Sequence, residues 1–329
     1  MSRPTISAVA RAAGVSVASV SRVLNGQPAT AEMTERVRRA AAELSYVPDA
    51  RARSLKVGRT LQLTLAVADV GNPVYVTMMR AVEGVVSAAG YRLVVTATGP
   101  EVADEVALVQ GMARGYADGL VISPLRVDDD LIKAIQVCDV PVVVAGNVPA
   151  KAGVDTVRAN SPKGVAMAVE HLLATGRERI AFVNGPVDTV PGTARAKGFA
   201  EAIKRYGLTA AGTAEATDFT FAAGRAAGRE LFRTSRPDAV ICANDLIAVG
   251  VMHELAGYGL TVPEDVAVVG MDDSELAELS FPPLTSVNLG SAERGRRAAE
   301  LLLARIEDDT RAPRRIVVQP TLSVRRSTA

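Results

Sequence analysis

Along the 329 residues, three textures of apolar and polar positions follow one another. From Thr5 to Leu44, apolar residues recur at helical spacing in short bursts with tight connections between them. Residues 46–60 are polar and basic, with Pro48 near one end and Gly58 near the other, a linker able to form a helical turn or two. From Leu61 onward, short Val/Ile/Leu-rich runs alternate with amphipathic segments. The runs are Leu63–Ala68, Arg92–Thr96, Gly119–Ser123, Val140–Ala145, Ile180–Asn184, Ala239–Ala243 and Val266–Gly270. Runs of this kind read as strands buried on both faces. Between them the helical period predicts helices over Val74–Ala89, Val102–Arg114, Asp129–Val137, Pro162–Thr175, Thr193–Tyr206, Ala222–Arg233 and Leu246–Tyr258. Strand and helix in alternation predict doubly wound parallel sheets, and some 270 residues exceed what one such sheet needs. The expected fold is a small all-α head plus two parallel-sheet α/β subdomains.

The head carries the sharpest local pattern. Thr5 can cap a first helix whose inner face is Ile6, Val9, Ala10 and Ala13. Gly14 stands where the chain needs a left-handed residue to turn. Val15 plugs the turn, and Ser16 can cap a second helix with Val20, Val23 and Leu24 facing inward. Ser16, Val17, Ala18, Ser21 and Arg22 remain on its outer side. A third helix, Met33–Leu44, closes the bundle through Val37, Ala40, Ala41 and Leu44. This is the layout of a helix-turn-helix, whose second helix enters the major groove N-terminus first.

Charge sharpens that reading. Residues 1–60 hold 10 Lys/Arg against 4 Asp/Glu, while the remainder holds 27 against 32, so an overall charge of +1 conceals a basic head on a mildly acidic body. An anionic partner is expected for the head alone. No apolar run reaches transmembrane length and no signal-peptide pattern opens the chain, so no membrane partner and a cytoplasmic location are expected. Two cysteines, Cys138 and Cys242, lie in apolar, strand-like contexts and read as buried reduced thiols, and two histidines, His171 and His253, fall in predicted helices. Neither a metal cluster nor a cofactor motif is present: there is no Gly-x-Gly-x-x-Gly or Walker loop and no Gly-x-Ser-x-Gly elbow. The chain is not expected to be an enzyme.

The segment Ala10-x-x-Ala13-Gly14-Val15-Ser16-x-x-x-Val20-Ser21-Arg22-Val23-Leu24-Asn25 resembles the signature of the lac-repressor (LacI/GalR) family. Leu44-x-Tyr46-x-Pro48-x-Ala50-Arg51-Ala52-Arg53-Ser54-Leu55 resembles that family's hinge. The body resembles the family's sensor core, akin to periplasmic sugar-binding proteins. The resemblance implies a DNA-binding head over 1–47, a hinge over 48–60 and a ligand-binding core over 61–329. The N-subdomain would span about 61–160 and 291–320, the C-subdomain about 161–290 and 321–329. It implies base contacts from Val17, Ala18 and Arg22, with Ser7, Ser16, Ser21 and Asn25 as phosphate or positioning contacts. In the hinge, Leu55 would wedge into the minor groove, Ala52 would lie against its floor and Lys56 would reach base edges or phosphate. Leu55 could instead anchor one domain on another. Ala8 departs from the family's frequent Asp at that place, a loss of about 1 kcal/mol of capping.

For the core, the resemblance implies a ligand pocket formed by loops after the strands, with Tyr75, Asn147, Arg195, Phe219, Asn244 and Asp272 as its candidate contacts. Each has a structural alternative: Arg195 in an ion pair, Phe219 in plain packing, Asp272 as a helix cap. The neighbouring Asp245 reads as a helix N-cap. Gly146-Asn147 stands where the family often carries an Asp-Arg-like pair, and Ala159 stands where it carries an Asp, which leaves fewer acceptors for ligand hydroxyls.

The implied protein is a homodimeric regulator, a repressor, that binds a pseudo-palindromic operator in double-stranded DNA and responds to a small-molecule effector. The alternative is the solute-binding protein of a transporter, which accounts for the core and leaves the basic head unexplained. If Leu55 bends the operator, Leu55→Ala weakens operator binding in an anisotropy titration and leaves effector affinity unchanged. Unchanged operator affinity in that variant refutes the wedge.

Overall fold

The computed structural model describes residues 4–47 and 58–329. The hinge residues Ala52, Leu55 and Lys56 lie outside the described residues. The chain divides into two compact units, 1–60 and 61–329.

In the first unit, α1 (Ile6–Ala13), α2 (Val17–Leu24) and α3 (Ala31–Glu43) surround one small core. Val9, Ala10, Ala13, Val20, Val23, Val37, Ala40 and Ala41 are buried there, as the helical spacing predicts. Side-chain oxygens cap all three helices: Thr5 accepts from the Ala8 amide, Ser16 from Ser19 and Thr30 from Met33. Thr5 therefore supplies a cap that does not depend on an acidic residue at Ala8. The α1–α2 bend is 102°. Gly14 makes it with φ +64°, and its amide returns to the Ala10 and Arg11 carbonyls. Arg36, reaching from α3, is invisible to the apolar pattern. Its Nε and Nη2 donate to Ala13 O at 3.1 and 2.6 Å, and Nη2 also donates to Gly14 O at 3.2 Å. It thereby satisfies carbonyls that the end of α1 leaves without an intrahelical partner.

The second unit contains two six-stranded sheets. The first has the order β11-β5-β4-β3-β1-β2, the second β12-β10-β9-β8-β6-β7. Their members are β1 (Gln62–Val67), β2 (Arg92–Ala97), β3 (Leu120–Ser123), β4 (Val142–Val144), β5 (Asp155–Ala159), β6 (Ile180–Asn184), β7 (Gly212–Glu215), β8 (Ala239–Cys242), β9 (Ala267–Met271), β10 (Thr285–Asn288), β11 (Arg315–Val318) and β12 (Thr321–Ser323). All pairs are parallel except β10 with β12. On the first sheet, α4 (Pro73–Ala88) and α12 (Ser291–Glu307) cover one face, and α5 (Val102–Gly111) and α6 (Asp129–Gln136) the other. On the second, α7 (Ser161–Ala174) and α8 (Val190–Arg205) face α9 (Phe221–Thr234) and α10 (Asp245–Gly257) across the sheet. A short α11 spans Glu275–Leu279.

The chain passes between the sheets three times, after β5, after β10 and between β11 and β12. The crossings are tied together. The Asn160 amide donates to Val318 O at 3.0 Å, and Asn160 Nδ2 to Gln319 Oε1 at 3.4 Å. Gly290 begins the return to the first sheet at φ +69°, and a Cβ there would stand 2.3 Å from Val318 Cγ1.

The apolar runs anticipate seven strands, β1–β4, β6, β8 and β9, of which β2 is an edge strand. They do not mark β5, β7, β10, β11 or β12, whose short sequences mix polar and apolar residues. β7 alternates half-buried and exposed positions, as befits an edge. The helix expected over Val102–Arg114 ends at Gly111 and continues as a 3-10 turn. The helix expected from Thr193 begins at Val190, because Thr189 caps it and Pro191 occupies its first turn. Cys242 is buried in β8, whereas Cys138 follows α6 and is half-buried outside any strand.

Removing the Arg36 guanidinium should loosen the head without touching its core. Arg36→Ala lowers native-state amide protection across α1 and α2 roughly tenfold, about 1.5 kcal/mol for hydrogen bonds to a charged donor. Amides of the 61–329 unit keep their wild-type exchange rates.

Candidate functional site

Two places bring sequence-predicted residues together. The first is the outer face of α2. Val17 is 43% exposed, Ala18 and Arg22 are also exposed, and Val20 and Val23 on the opposite side are buried. A methyl-rich N-terminal turn followed by a guanidinium is thus presented to solvent on a rigid helix. Ser16 is occupied as a cap and is also within 3.0 Å of Ser19 Oγ. Asn25 Nδ2 donates to Ser21 O at 2.7 Å, so Asn25 closes the end of α2 and fixes the Ser21 region. Ser7 is exposed on the first turn of α1.

The second is a cleft of about 400 Å³ in the 61–329 unit, within the size range of small-molecule sites. Its lining includes all six candidate contacts: Tyr75, Asn147, Arg195, Phe219, Asn244 and Asp272. They come from the strand–helix loops and helix starts of both sheets. Tyr75 lies in the first turn of α4, which Asn72 caps by accepting from the Val74 amide at 3.2 Å. Asn147 is exposed after β4. Arg195 is buried on α8, and its Nη2 stands 3.5 Å from Asp272 Oδ1. The same guanidinium lies 5.8 Å from the centre of the Phe219 ring. Two readings left open by the residues alone therefore coincide: Arg195 lines the cleft and is ion-paired. Phe219 likewise lines the cleft while packing closely on Gly185, where a Cβ would stand 2.2 Å from its ring.

Asn244, not Asp245, is the cap of α10. Its Oδ1 accepts from the Ile247 amide at 2.8 Å and its Nδ2 donates to Phe219 O at 3.0 Å. Asn244 thus holds the Phe219 backbone against the start of α10. Asp245 does something else. It is buried, accepts from the Ser274 amide and hydroxyl at 2.8 and 2.7 Å, and accepts from Ser286 Oγ at 2.5 Å. These bonds brace the loop that follows Asp272, where the backbone is strained: φ is +99° at Asp272 and +50° at Asp273, a region that side chains other than glycine's rarely occupy.

Burial dominates the titration of this wall. It raises the Asp272 carboxyl above the ordinary range against the opposing pull of Arg195 and Arg294. It raises the Tyr75 hydroxyl. Asp245 is pushed up to about 7 by burial and by the neighbouring Asp272 charge, with the serine hydrogen bonds pulling the other way.

Arg294, in the first turn of α12, also lines the cleft and was not singled out by the sequence. Leu289 is its one near neighbour along the chain among the lining residues, so no local spacing links it to the other charged groups of the cleft. Arg158 joins the lining from the end of β5. Toward the cleft's edge, Arg126 grips Asp188 with Nε and Nη2 at 2.8 and 3.1 Å, and the Val190 amide donates to Leu125 O at 2.8 Å. These bonds join the two subdomains, but an ion pair this exposed is screened by solvent and adds little to stability.

Among the described residues, no group of His, Cys, Asp and Glu is arranged to hold a metal ion, and no single helix is long and apolar enough to cross a membrane.

Asp245 also sets a pH dependence. An acid with a raised native pKa binds more protons folded than unfolded, so its contribution to stability is complete below about pH 4 and is lost as pH rises through about 7. Glu105, pushed up to about 7 by burial, acts in the same direction. These two acids should therefore draw down unfolding free energy between about pH 4 and 7, against the opposite contribution of His171, whose pKa burial lowers. Asp245→Asn should flatten part of that slope in urea titrations, and a slope identical to wild type refutes the assignment.

Comparison with known proteins gives the chain's family. Residues 5–49 match the family model for bacterial regulatory proteins of the lacI family, and residues 169–328 match a periplasmic binding protein-like domain. The chain is 38% identical to the HTH-type transcriptional regulator CelR of Thermobifida fusca, over 99% of this chain and 98% of the relative. Among solved structures, it resembles a CelR–cellobiose complex with a TM-score of 0.75 at 36% identity, covering 99% of this chain and 100% of that one. It also resembles the lac repressor dimer bound to operator and the anti-inducer ONPF, with a TM-score of 0.89 at 26% identity, covering 99% of each chain. The chain belongs to the lacI family of bacterial regulatory proteins.

Proposed function

We propose that the protein is a transcriptional repressor whose α2 reads an operator half-site and whose cleft binds a small metabolite that sets operator affinity. The observation that carries this is the exposed Val17–Ala18–Arg22 face of α2, held by a bundle whose first two helices bend by 102°. Val17 and Ala18 are suited to thymine methyls, and Arg22 is the residue on that face with a bidentate option, toward guanine O6 and N7. Ser7, Ser16, Ser21 and Asn25 then fix the register through phosphate contacts or by holding the helix. Ala52, Leu55 and Lys56 engage the minor groove at the operator centre.

The cleft is the effector site, with Tyr75, Asn147, Arg195, Phe219 and Asp272 in contact with the ligand and Asn244 positioning Phe219. The relative crystallised with cellobiose supports a hydroxylated ligand class for such a cleft. Ligand held between the two subdomains changes their mutual setting. Through residues 48–60 that change alters how two heads address DNA, a coupling typically worth about 1–3 kcal/mol. Regulation without catalysis in the cytoplasm, where the operator is, is part of the same reading.

The repressor acts as a homodimer on a pseudo-palindromic site. The lac repressor structure that this chain resembles is a dimer on its operator. Large apolar side chains on the surface of the core support the same assembly: Leu279 is 74% exposed and Phe281 93%. Exposed apolar groups of this size mark contact surfaces.

An anisotropy titration against operators selected from a random duplex library tests the reading, with and without metabolites that raise the melting temperature. Sequence-specific binding that shifts on adding a hit is expected, and binding that ignores sequence refutes it. Phe281→Asp should move the chain toward monomer in sedimentation velocity and weaken operator binding about tenfold or more, because two linked heads bind far better than one.

A further inference from the structure

The cleft holds a surplus of buried positive charge. Arg195 and Arg294 both line it, and Asp272 is the buried carboxylate among its lining residues. Asp272 stands 3.5 Å from Arg195 and also interacts with Arg294, so one buried carboxylate faces two guanidiniums. Part of each arginine's donor set is unspent: the buried Nε atoms of Arg195 and Arg294 both lack a hydrogen-bond partner among the described residues. Asn147 and Ala159, also in the lining, bring no negative charge. Buried donors without partners and two buried cations sharing one carboxylate are each costly.

A second feature points the same way. Arg294 sits in the first turn of α12, a helix running from Ser291 to Glu307. The positive end of a helix dipole repels a cation there. The helix also has no side-chain cap, because its N-cap is Gly290, and the Ser291 hydroxyl donates instead to Val74 O at 2.8 Å. A guanidinium and an uncapped helix start therefore stand together beside the cleft, which Leu289 and Arg294 both line. Burial lowers the Arg294 pKa, and an anion in the cleft would relieve that penalty.

We infer that the effector carries an anionic group, a carboxylate or a phosphate ester on a hydroxylated carbon skeleton, and that Arg294 together with Arg195 holds it. The planar fork of arginine matches such oxyanions with paired hydrogen bonds, which an ammonium cannot do. Asp272 and Asn147 then serve the hydroxyls, and Phe219 packs against the skeleton. The inference rests on the reading of the cleft as the effector site and narrows it: a neutral sugar would satisfy some donors but leave the surplus charge in place.

Calorimetric titration of the full-length chain with matched neutral and acidic pairs tests this: glucose against glucuronate and glucose 6-phosphate, ribose against ribose 5-phosphate, and cellobiose against cellobionate. At least one acid should bind about tenfold or more tightly than its neutral partner, and raising salt should erode the difference. Arg294→Gln should abolish the preference while leaving the melting temperature near wild type, since the Arg294 Nε has no hydrogen-bond partner among the described residues. Arg294→Lys should retain part of it. A neutral sugar that binds as tightly as its acid and shifts operator affinity overturns the anionic assignment but leaves the effector reading intact. An acid preference that survives Arg294→Gln overturns the role of Arg294. A panel with no binding member, neutral or acidic, overturns the inference and counts against the effector reading itself.

Discussion

The three crossings between the two sheets are the constraint on which the core depends. They occur at β5 to α7, β10 to α12 and β11 to β12, and hydrogen bonds from Asn160 to Val318 and Gln319 hold them in one place. Gly290 is required there because the backbone is left-handed and Val318 leaves no room for a Cβ. With the crossings fixed, residues from both sheets are brought to one cleft, where ligands of doubly wound sheets bind. Tyr75 and Arg294 from the first sheet's helices thereby face Arg195, Phe219 and Asp272 from the second. Either sheet alone would supply half a site.

Within the cleft, much of the polar machinery is structural before it is functional. Asn244 caps α10 and holds the Phe219 carbonyl, while Asp245 braces the strained turn at Asp272 and Asp273 through Ser274 and Ser286. Such bracing fixes the atoms that face the ligand and leaves Arg195 and Arg294 with unspent donors. Fixed acceptors and free donors in a half-dry wall favour a ligand rich in oxygen. The head follows the same logic on a smaller scale. Arg36 saturates the carbonyls at the end of α1, so that α2 is presented at a set angle with its apolar tip outward.

Legibility in the sequence tracked how local each determinant is. The head was readable almost residue by residue, because caps, the Gly14 turn and inward-facing apolar positions all act within one helical turn. Strands β1, β3, β4, β6, β8 and β9 were readable because burial on both faces forces continuous apolar runs, and the edge strand β2 was readable from its Leu and Val content. Edge strands such as β7 and the crossover strands β5 and β11 were not, since half-exposed backbone accepts polar residues. Six cleft residues were found through the family resemblance. Arg294 was not, because its neighbourhood of charged residues, Glu293, Arg296 and Arg297, reads as an ordinary solvated helix face.

The sequence by itself determined the order of head, linker and α/β core, the exposed face of α2 and the family to which the chain belongs. Those follow from periodicity, capping and motif, which are properties of contiguous residues. The tertiary structure alone decided that Asn244 rather than Asp245 caps α10, that Arg36 secures the turn, and that Arg294 stands beside Asp272 across a crossover. Each of these depends on groups brought together by chain reversals, and spacing along the chain carries no record of which charges will share a buried wall.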